Sequence, residues 1–217
     1  DLHKDLWDYD DMSDISRRQR LHRHMHNEMQ TLEIVAQNLA DFPEAPWELR
    51  MELARQCWDE SRHSAILYRR LRENGGRKGE FPVMNYEWGV TQMLDSLPAR
   101  LAVQNRTFEG GEMDLLGQQA AMWSAAGDDE TAALMDALLG DEVQHVRFAN
   151  VWIKKLTERD GARAVMALAR ATAHANEALK EIVGDNIVFY PVSVELRREA
   201  GFDDDEINSA RQLAKQT

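Results

Sequence analysis

Two short steps of this sequence, Glu60-Ser61-Arg62-His63 and Glu142-Val143-Gln144-His145, each place a carboxylate and an imidazole three residues apart inside an apolar stripe of helical period. At about 100° per residue, Thr131, Met135, Leu138, Leu139, Val146, Ala149, Ile153 and Leu156 share one face, with Glu142 in its middle and His145 at its border. Leu49, Leu53, Cys57, Leu67 and Leu71 do the same around Glu60 and His63. A single Glu-x-x-His is an ordinary exposed i,i+3 pair. Two of them on core faces are not, because a buried carboxylate is costly unless something inside compensates its charge. The fold must bring these groups to a partner.

Between clear punctuation marks the chain is dominated by Ala, Leu, Glu, Arg, Gln and Met, with few alternating β-branched runs, which predicts an all-α protein. A first helix is expected from Ser13 or Ser16 to Leu39 and a second from Pro46 to Asn74-Gly75-Gly76. A loop then leads into a short helix near Trp88. A third long helix should run from about Ala99 to Ala126 and close at Gly127, and a fourth should open at Asp128-Asp129-Glu130 and reach about Leu156. Gly161 to Val183 reads as a fifth. The remainder holds a turn at Pro191 and two short helical pieces, the second capped by the Asp203 to Asp205 run. The whole, 1–217, is expected to be a single domain: a core bundle over about 13–156 and a C-terminal helical extension over about 161–217. That extension should pack on the end of the bundle or on a partner subunit, the latter making a homodimer.

Composition removes several classes. With 26 basic and 38 acidic residues the formal charge is −12, which disfavours nucleic acid, since binding to phosphates is driven by lysine and arginine releasing counterions. The mean hydropathy is −0.57 and no apolar run approaches the roughly 20 residues that span a bilayer, so no membrane partner is expected. Cys57 alone cannot form an intramolecular disulfide, and no positively charged leader with an apolar core precedes the first helix. A reducing, cytoplasmic setting follows as the expectation.

Two further helices supply inward carboxylates. Glu28 lies within about 60° of the stripe Leu21, Met25, Leu32, Val35 and Leu39, whereas Glu33 is turned away to solvent. Glu109 shares a face with Ala102, Met113, Leu116 and Ala120, and Glu112, about 60° off that line, competes for the role or adds a ligand. The set Glu28, Glu60, His63, Glu109, Glu142 and His145 is the arrangement of ferritin-like di-iron or di-manganese carboxylate bundles: one Glu from each of two helices and Glu-x-x-His from each of the other two. Two divalent cations balance four glutamates. Carboxylate oxygen with a little imidazole suits iron(II) or manganese(II), while closed structural zinc or iron–sulfur sites want thiolates that one cysteine cannot provide.

The strings HNEMQTLEIVAQNLADFPEAPWELR, WDESRHSAILYRRL, FEGGEMD and DEVQHVRFANVW resemble the ferritin-like family catalogued as a domain of unknown function, with its His-x-Glu, Asp-Glu-x-x-His, Leu-Glu-x-x-Gly-Leu-Asp and Asp-Glu-x-x-His-Val motifs. The resemblance spans roughly residues 15 to 156. It implies a ferritin-like four-helix bundle with a fifth helix and short C-terminal helices, and the same six ligands. The third motif departs from the pattern as Glu109-Gly110-Gly111-Glu112-Met113-Asp114. Paired glycines inside a helix cost about 1 kcal/mol each relative to alanine, so a kink or π-bulge beside the metals, leaving room for oxygen or substrate, is expected there.

Other residues read more blandly. His22, His24 and His26 are expected at the surface or behind the ligands, with His26 holding a neighbouring carboxylate. His174 and Glu177 fall on a solvated face, opposite the stripe of Val165, Leu168, Thr172, Ala175 and Leu179. Trp58, Tyr68, Trp88, Trp123, Phe148 and Trp152 read mostly as core filler or interface anchors. Asp59 and Asp141, each preceding a ligand, read either as supports of the opposite histidine or as plain surface acids.

The expected function is an O2-dependent non-haem di-iron oxidase or oxygenase acting on a small molecule, with two iron ions, or manganese and iron, and dioxygen as co-substrate. C-hydroxylation and N-oxygenation are the reactions expected, and an external electron donor fits either. Resemblance to di-iron enzymes of natural-product pathways points to an amine or hydrazine as substrate. The alternatives are ferroxidase or metal handling and, less favoured by the charge, hydroxylation of tRNA at a patch of Arg17, Arg18, Arg20 and Arg23.

Overall fold

The computed structural model describes residues 11–183 and 191–213, and among these every regular element is helical. In chain order they are α1 (Asp14–Asp41), α2 (Trp47–Glu73), α3 (Tyr86–Gln92), α4 (Leu97–Leu101), a π-helical segment (Ala102–Glu109), α5 (Gly110–Ala125), α6 (Asp129–Thr157), α7 (Gly161–Val183), α8 (Val194–Glu199) and α9 (Asp204–Leu213). The expected helices all appear within a few residues of their predicted ends. Among the described residues no helix is long and apolar enough to cross a membrane. The chain divides into two compact units, Asp1–Gly89 and Val90–Thr217.

In the first unit α1 and α2 pack on each other along Leu21, Met25, Ile34 and Val35 from one helix and Leu49, Leu53, Leu67 and Leu71 from the other, all buried. α2 ends in a Schellman turn, in which Gly75 takes the left-handed conformation at φ 79° and the Gly76 N–H donates to Leu71 O at 2.8 Å. A Cβ at Gly76 would stand 2.3 Å from Leu71 Cδ1 and 3.1 Å from its carbonyl oxygen, so any other residue here would have to displace the buried Leu71 side chain.

Beyond this turn the loop lies along one flank of α1, fastened at four positions spaced four residues apart. Arg18 Nε donates to Glu80 Oε1 (2.9 Å), the Gly79 N–H donates to His22 Nε2 (2.9 Å), His26 Nε2 meets Asn85 Oδ1 (2.8 Å) and Gln30 Nε2 donates to Met84 O (2.9 Å). His22 also packs edge-on against Phe81. His22 and His26 therefore hold a loop, and the partner of His26 is an amide oxygen rather than the carboxylate expected.

Burial, and secondarily the nearby His26, lower the pKa of His22 below its ordinary value, against a smaller opposing pull from Glu80. A histidine with a depressed folded-state pKa stabilises the fold fully above the unfolded value of about 6.5, and that contribution fades as pH falls below it. Protonation also removes the lone pair that accepts from Gly79. Thermal melts taken at falling pH through that window should show a steeper loss of stability for the wild type than for His22→Gln, and parallel curves would refute the role of His22.

In the second unit the π-helical segment precedes the glycine pair instead of containing it. The Gly110 N–H reaches back five residues to Asn105 O, and Thr107 Oγ1 donates to Ala102 O at 2.9 Å, also five residues back. Gly110 itself is right-handed helical at φ −59°, ψ −35°. A Cβ at Gly111 would meet nothing within 4 Å and one at Gly110 would meet Phe202 Cζ at 3.7 Å and Arg197 Nη1 at 4.0 Å, ordinary contacts. The expected π-bulge is thus present at Glu109, but the glycines that follow are not what widens the helix. Gly111→Ala should accordingly stabilise the protein by about 0.5–1 kcal/mol through helix propensity alone. A lowered midpoint in urea would show that the position needs glycine.

α5 closes on Gly127 in a second Schellman turn (φ 78°), and Asp128 then caps α6, its carboxylate accepting from the Thr131 N–H at 3.0 Å and the Thr131 hydroxyl at 2.8 Å. The C-terminal elements pack on α5 and α6 of their own chain. Ala200, Phe202 and Ile207 bury against Met113, Val143 and Val146. Asp114 accepts from the Ser193 N–H (2.8 Å) and from Arg197 Nη2 (2.6 Å), and the same guanidinium nitrogen donates to Gly110 O (3.1 Å). Arg106 and Arg197 both lie over the Phe202 ring, at 4.8 and 5.1 Å. Asp203 and Glu206 form a capping box at the start of α9, the cap expected from the acidic run.

Candidate metal site

Each unit gathers one Glu, Glu and His triad. In the first, Glu28 on α1 and Glu60 and His63 on α2 offer ligand atoms that lie within 4.8 Å of one another, and all three side chains are buried. His63 Nδ1 stands 3.4 Å from Glu28 Oε2 and 3.4 Å from Glu60 Oε2. In the second, Glu109 at the end of the π-helical segment and Glu142 and His145 on α6 gather in the same way, with His145 Nδ1 3.3 Å from Glu142 Oε2. Bonds of roughly 2.1 Å at near-tetrahedral to octahedral angles put neighbouring donor atoms roughly 3.0–3.4 Å apart. These spacings fit donors converging on one cation.

Two of the carboxylates are hydrogen-bonded from behind: Gln56 Nε2 donates to Glu60 Oε1 at 3.1 Å, and Asn105 Nδ2 donates to Glu109 Oε2 at 3.0 Å. His24 Nε2 stands at ion-pair distance, 2.8 Å, from Glu28 Oε1. In the first unit each glutamate therefore presents its other oxygen, Oε2, toward His63. His24, Gln56 and Asn105 each sit four residues before a predicted ligand, where one side chain reaches the next on the same flank of a helix. That spacing was the available signal for Gln56 and Asn105, which sequence reasoning missed.

Glu112 lies in the first turn of α5, half-buried, and is not part of the second triad. The helix carboxylate in that triad is Glu109. Glu33 is exposed and so are His174 and Glu177, as expected. Asp59 is buried and bound by Arg55 Nε (2.8 Å) and Arg62 Nη2 (3.3 Å) of its own helix, while Asp141 is half-buried. Of the aromatic residues Trp123 is fully buried and is core filler, whereas Trp58 is exposed and is not part of the core. Trp152 carries Lys155 over its ring and Tyr68 carries Lys78.

Burial, with a further push from the charge of Glu60, raises the Cys57 thiol to about 11. It stays a thiol near neutrality and is a poor metal donor. The available donors are carboxylate oxygen and imidazole nitrogen, a set for iron, manganese or another hard-to-borderline divalent ion. Either triad could hold a metal ion.

Fold and site thus define an all-helical protein with buried carboxylate and histidine clusters suited to metal. The chain belongs to the family described as Protein of unknown function (DUF455), which it matches over residues 8–208. No curated protein and no solved structure matches it.

Proposed function

We propose that this protein is an O2-dependent non-haem di-iron oxidase or oxygenase acting on a small molecule, by C-hydroxylation or N-oxygenation. The observation that carries the reading is the doubled triad: four buried glutamates and two buried histidines in one chain, in the order and spacing of the ferritin-like carboxylate bundles. Four carboxylates match two divalent ions in charge, and buried without them they would cost several kcal/mol each.

Glu28, Glu60 and His63 would hold one part of the ligand set and Glu109, Glu142 and His145 the other. A pair of iron(II) ions so held supplies the electrons that reduce dioxygen. The chain's own part is positional. Gln56 and Asn105 fix carboxylate rotamers through amide hydrogen bonds, His24 lies within ion-pair distance of Glu28, and leucine, valine and methionine around them exclude bulk water.

The test is metal analysis of the iron-loaded protein, Mössbauer spectroscopy for a coupled pair, and oxygen uptake after anaerobic reduction, with and without amines and hydrazines. Two irons per chain, coupled, with uptake that rises on adding substrate supports the proposal. Oxidation of added iron(II) well beyond two per chain, indifferent to organic substrate, would instead identify metal handling, and uncoupled mononuclear iron would overturn the di-iron centre.

A further inference from the structure

α2 carries a second apolar face that its own unit does not use. Trp47, Met51, Ala54 and Trp58 fall within about 60° of one another, about half a turn away from Glu60 and His63. Trp47 is 66 % exposed, Trp58 65 % and Met51 50 %. At roughly 200 Å² per large side chain these three alone present on the order of 350 Å² of apolar surface. That approaches half of the roughly 800 Å² each partner buries in a standard interface, and it is the size of the largest apolar patch on a typical monomer, a patch that is often functional.

The charges beside the stripe reverse sign along the helix. Glu48 and Glu52, both exposed, precede Arg55 and Arg62 on the same flank. Asp59 braces both arginines, at 2.8 and 3.3 Å, so their heads are already oriented. A flank that is acidic at one end and basic at the other is complementary to itself when a second copy runs antiparallel. From this geometry we infer that α2 is a homodimer interface, pairing with α2 of a second copy about a two-fold axis near Ala54.

Such an axis sets Met51 against Trp58 of the second copy, a sulfur–aromatic contact, and brings the small Ala54 side chains together. It places Glu48 near Arg62 and Glu52 near Arg55 across the seam, and Trp47 under the Arg62 guanidinium. The interface is isologous and closes at two copies. A partner of another sequence would not need this antisymmetric flank.

The experiment is sedimentation equilibrium of the full chain across a micromolar concentration series. A dimer is expected, and Trp58→Glu should weaken it roughly thirtyfold or more while leaving the circular dichroism and melting temperature of the subunit near wild type. Glu48→Arg and Arg62→Glu should each weaken association, and the double swap should restore it, an outcome that contacts within one copy cannot produce. Ala54→Cys in a Cys57→Ser background should form an interchain disulfide on mild oxidation. A monomer at every concentration overturns the inference, as does a dimer indifferent to Trp58→Glu and without the cross-link. A monomer whose tryptophans resist acrylamide quenching would show that another part of the chain covers the face, and would overturn it too.

Discussion

Glu60→Gln and Glu142→Gln are each expected to lower iron affinity more than a hundredfold while making the metal-free protein more stable. Both glutamates are almost completely buried. The change keeps the side-chain shape but removes a charge whose desolvation costs about 1–3 kcal/mol or more even when hydrogen-bonded. In a chelator the variants should therefore melt higher than wild type. On adding iron(II) the order should invert, because only the wild type gains the binding term, about 4 kcal/mol when the metal stands a thousandfold above its dissociation constant. Replacing a ligand outright should exceed the ten- to hundredfold loss typical of supporting residues, so Gln56→Leu and Asn105→Leu should fall between wild type and the glutamine variants. Metal content by mass spectrometry and melts with and without iron read both signs. Unchanged iron in both glutamine variants would dismiss these residues as ligands.

Asp114→Ala should be the most damaging single change outside the triads, costing about 3–5 kcal/mol. Asp114 is buried beside Arg197, which is only 12 % exposed at its side chain, and the same guanidinium binds the Gly110 carbonyl one residue after Glu109. Removing the acid leaves a nearly buried cation and a free Ser193 N–H. At 2–4 °C per kcal/mol for a chain of this size, the melting temperature should drop by roughly 10 °C. Arg197→Lys should recover little of this, since an ammonium cannot satisfy Asp114 and Gly110 together as the planar fork does. A fall of only a degree or two would show that α8 and α9 contribute little to the second unit.

The clamp matters because it joins the segment leading into α8 to the stretch bearing Glu109. Asn150, on α6 five residues after His145, donates to Ala200 O at 2.8 Å, so the C-terminal elements touch both helical stretches that carry the second triad. No local pattern announces this. Arg197 reads as an unremarkable helix residue, and it reaches Asp114 only because α8 folds back across about eighty positions of sequence, as Ala200 reaches Asn150 across fifty.

Helix extents were legible because capping and termination are local. Asp128 captures the Thr131 N–H, and Gly75 and Gly127 take the left-handed turns that stop α2 and α5. The triad members were legible for a related reason, since a glutamate within an apolar stripe of period 3.6 is anomalous wherever it occurs. The reading weakened where the period changed. Across Ala102–Glu109 the backbone bonds reach five residues back, so a face drawn at 100° per residue drifts, and Ala120, expected on the buried face, is half-exposed while Gln119 is buried.

Tryptophan shows the same division. Trp58 and Trp123 are equally apolar, yet one lies open and the other fully buried, because burial depends on what packs over a position and not on what occupies it. From residue order alone came the helices, their ends, and the six inward-facing groups, since each follows from contacts within one or two turns. Tertiary structure decided that His22 and His26 hold a loop, that Asp114 receives Arg197, and that Glu109 rather than Glu112 joins Glu142 and His145. Those outcomes depend on side chains distant in sequence sharing a few ångströms of space, which helical periodicity does not encode.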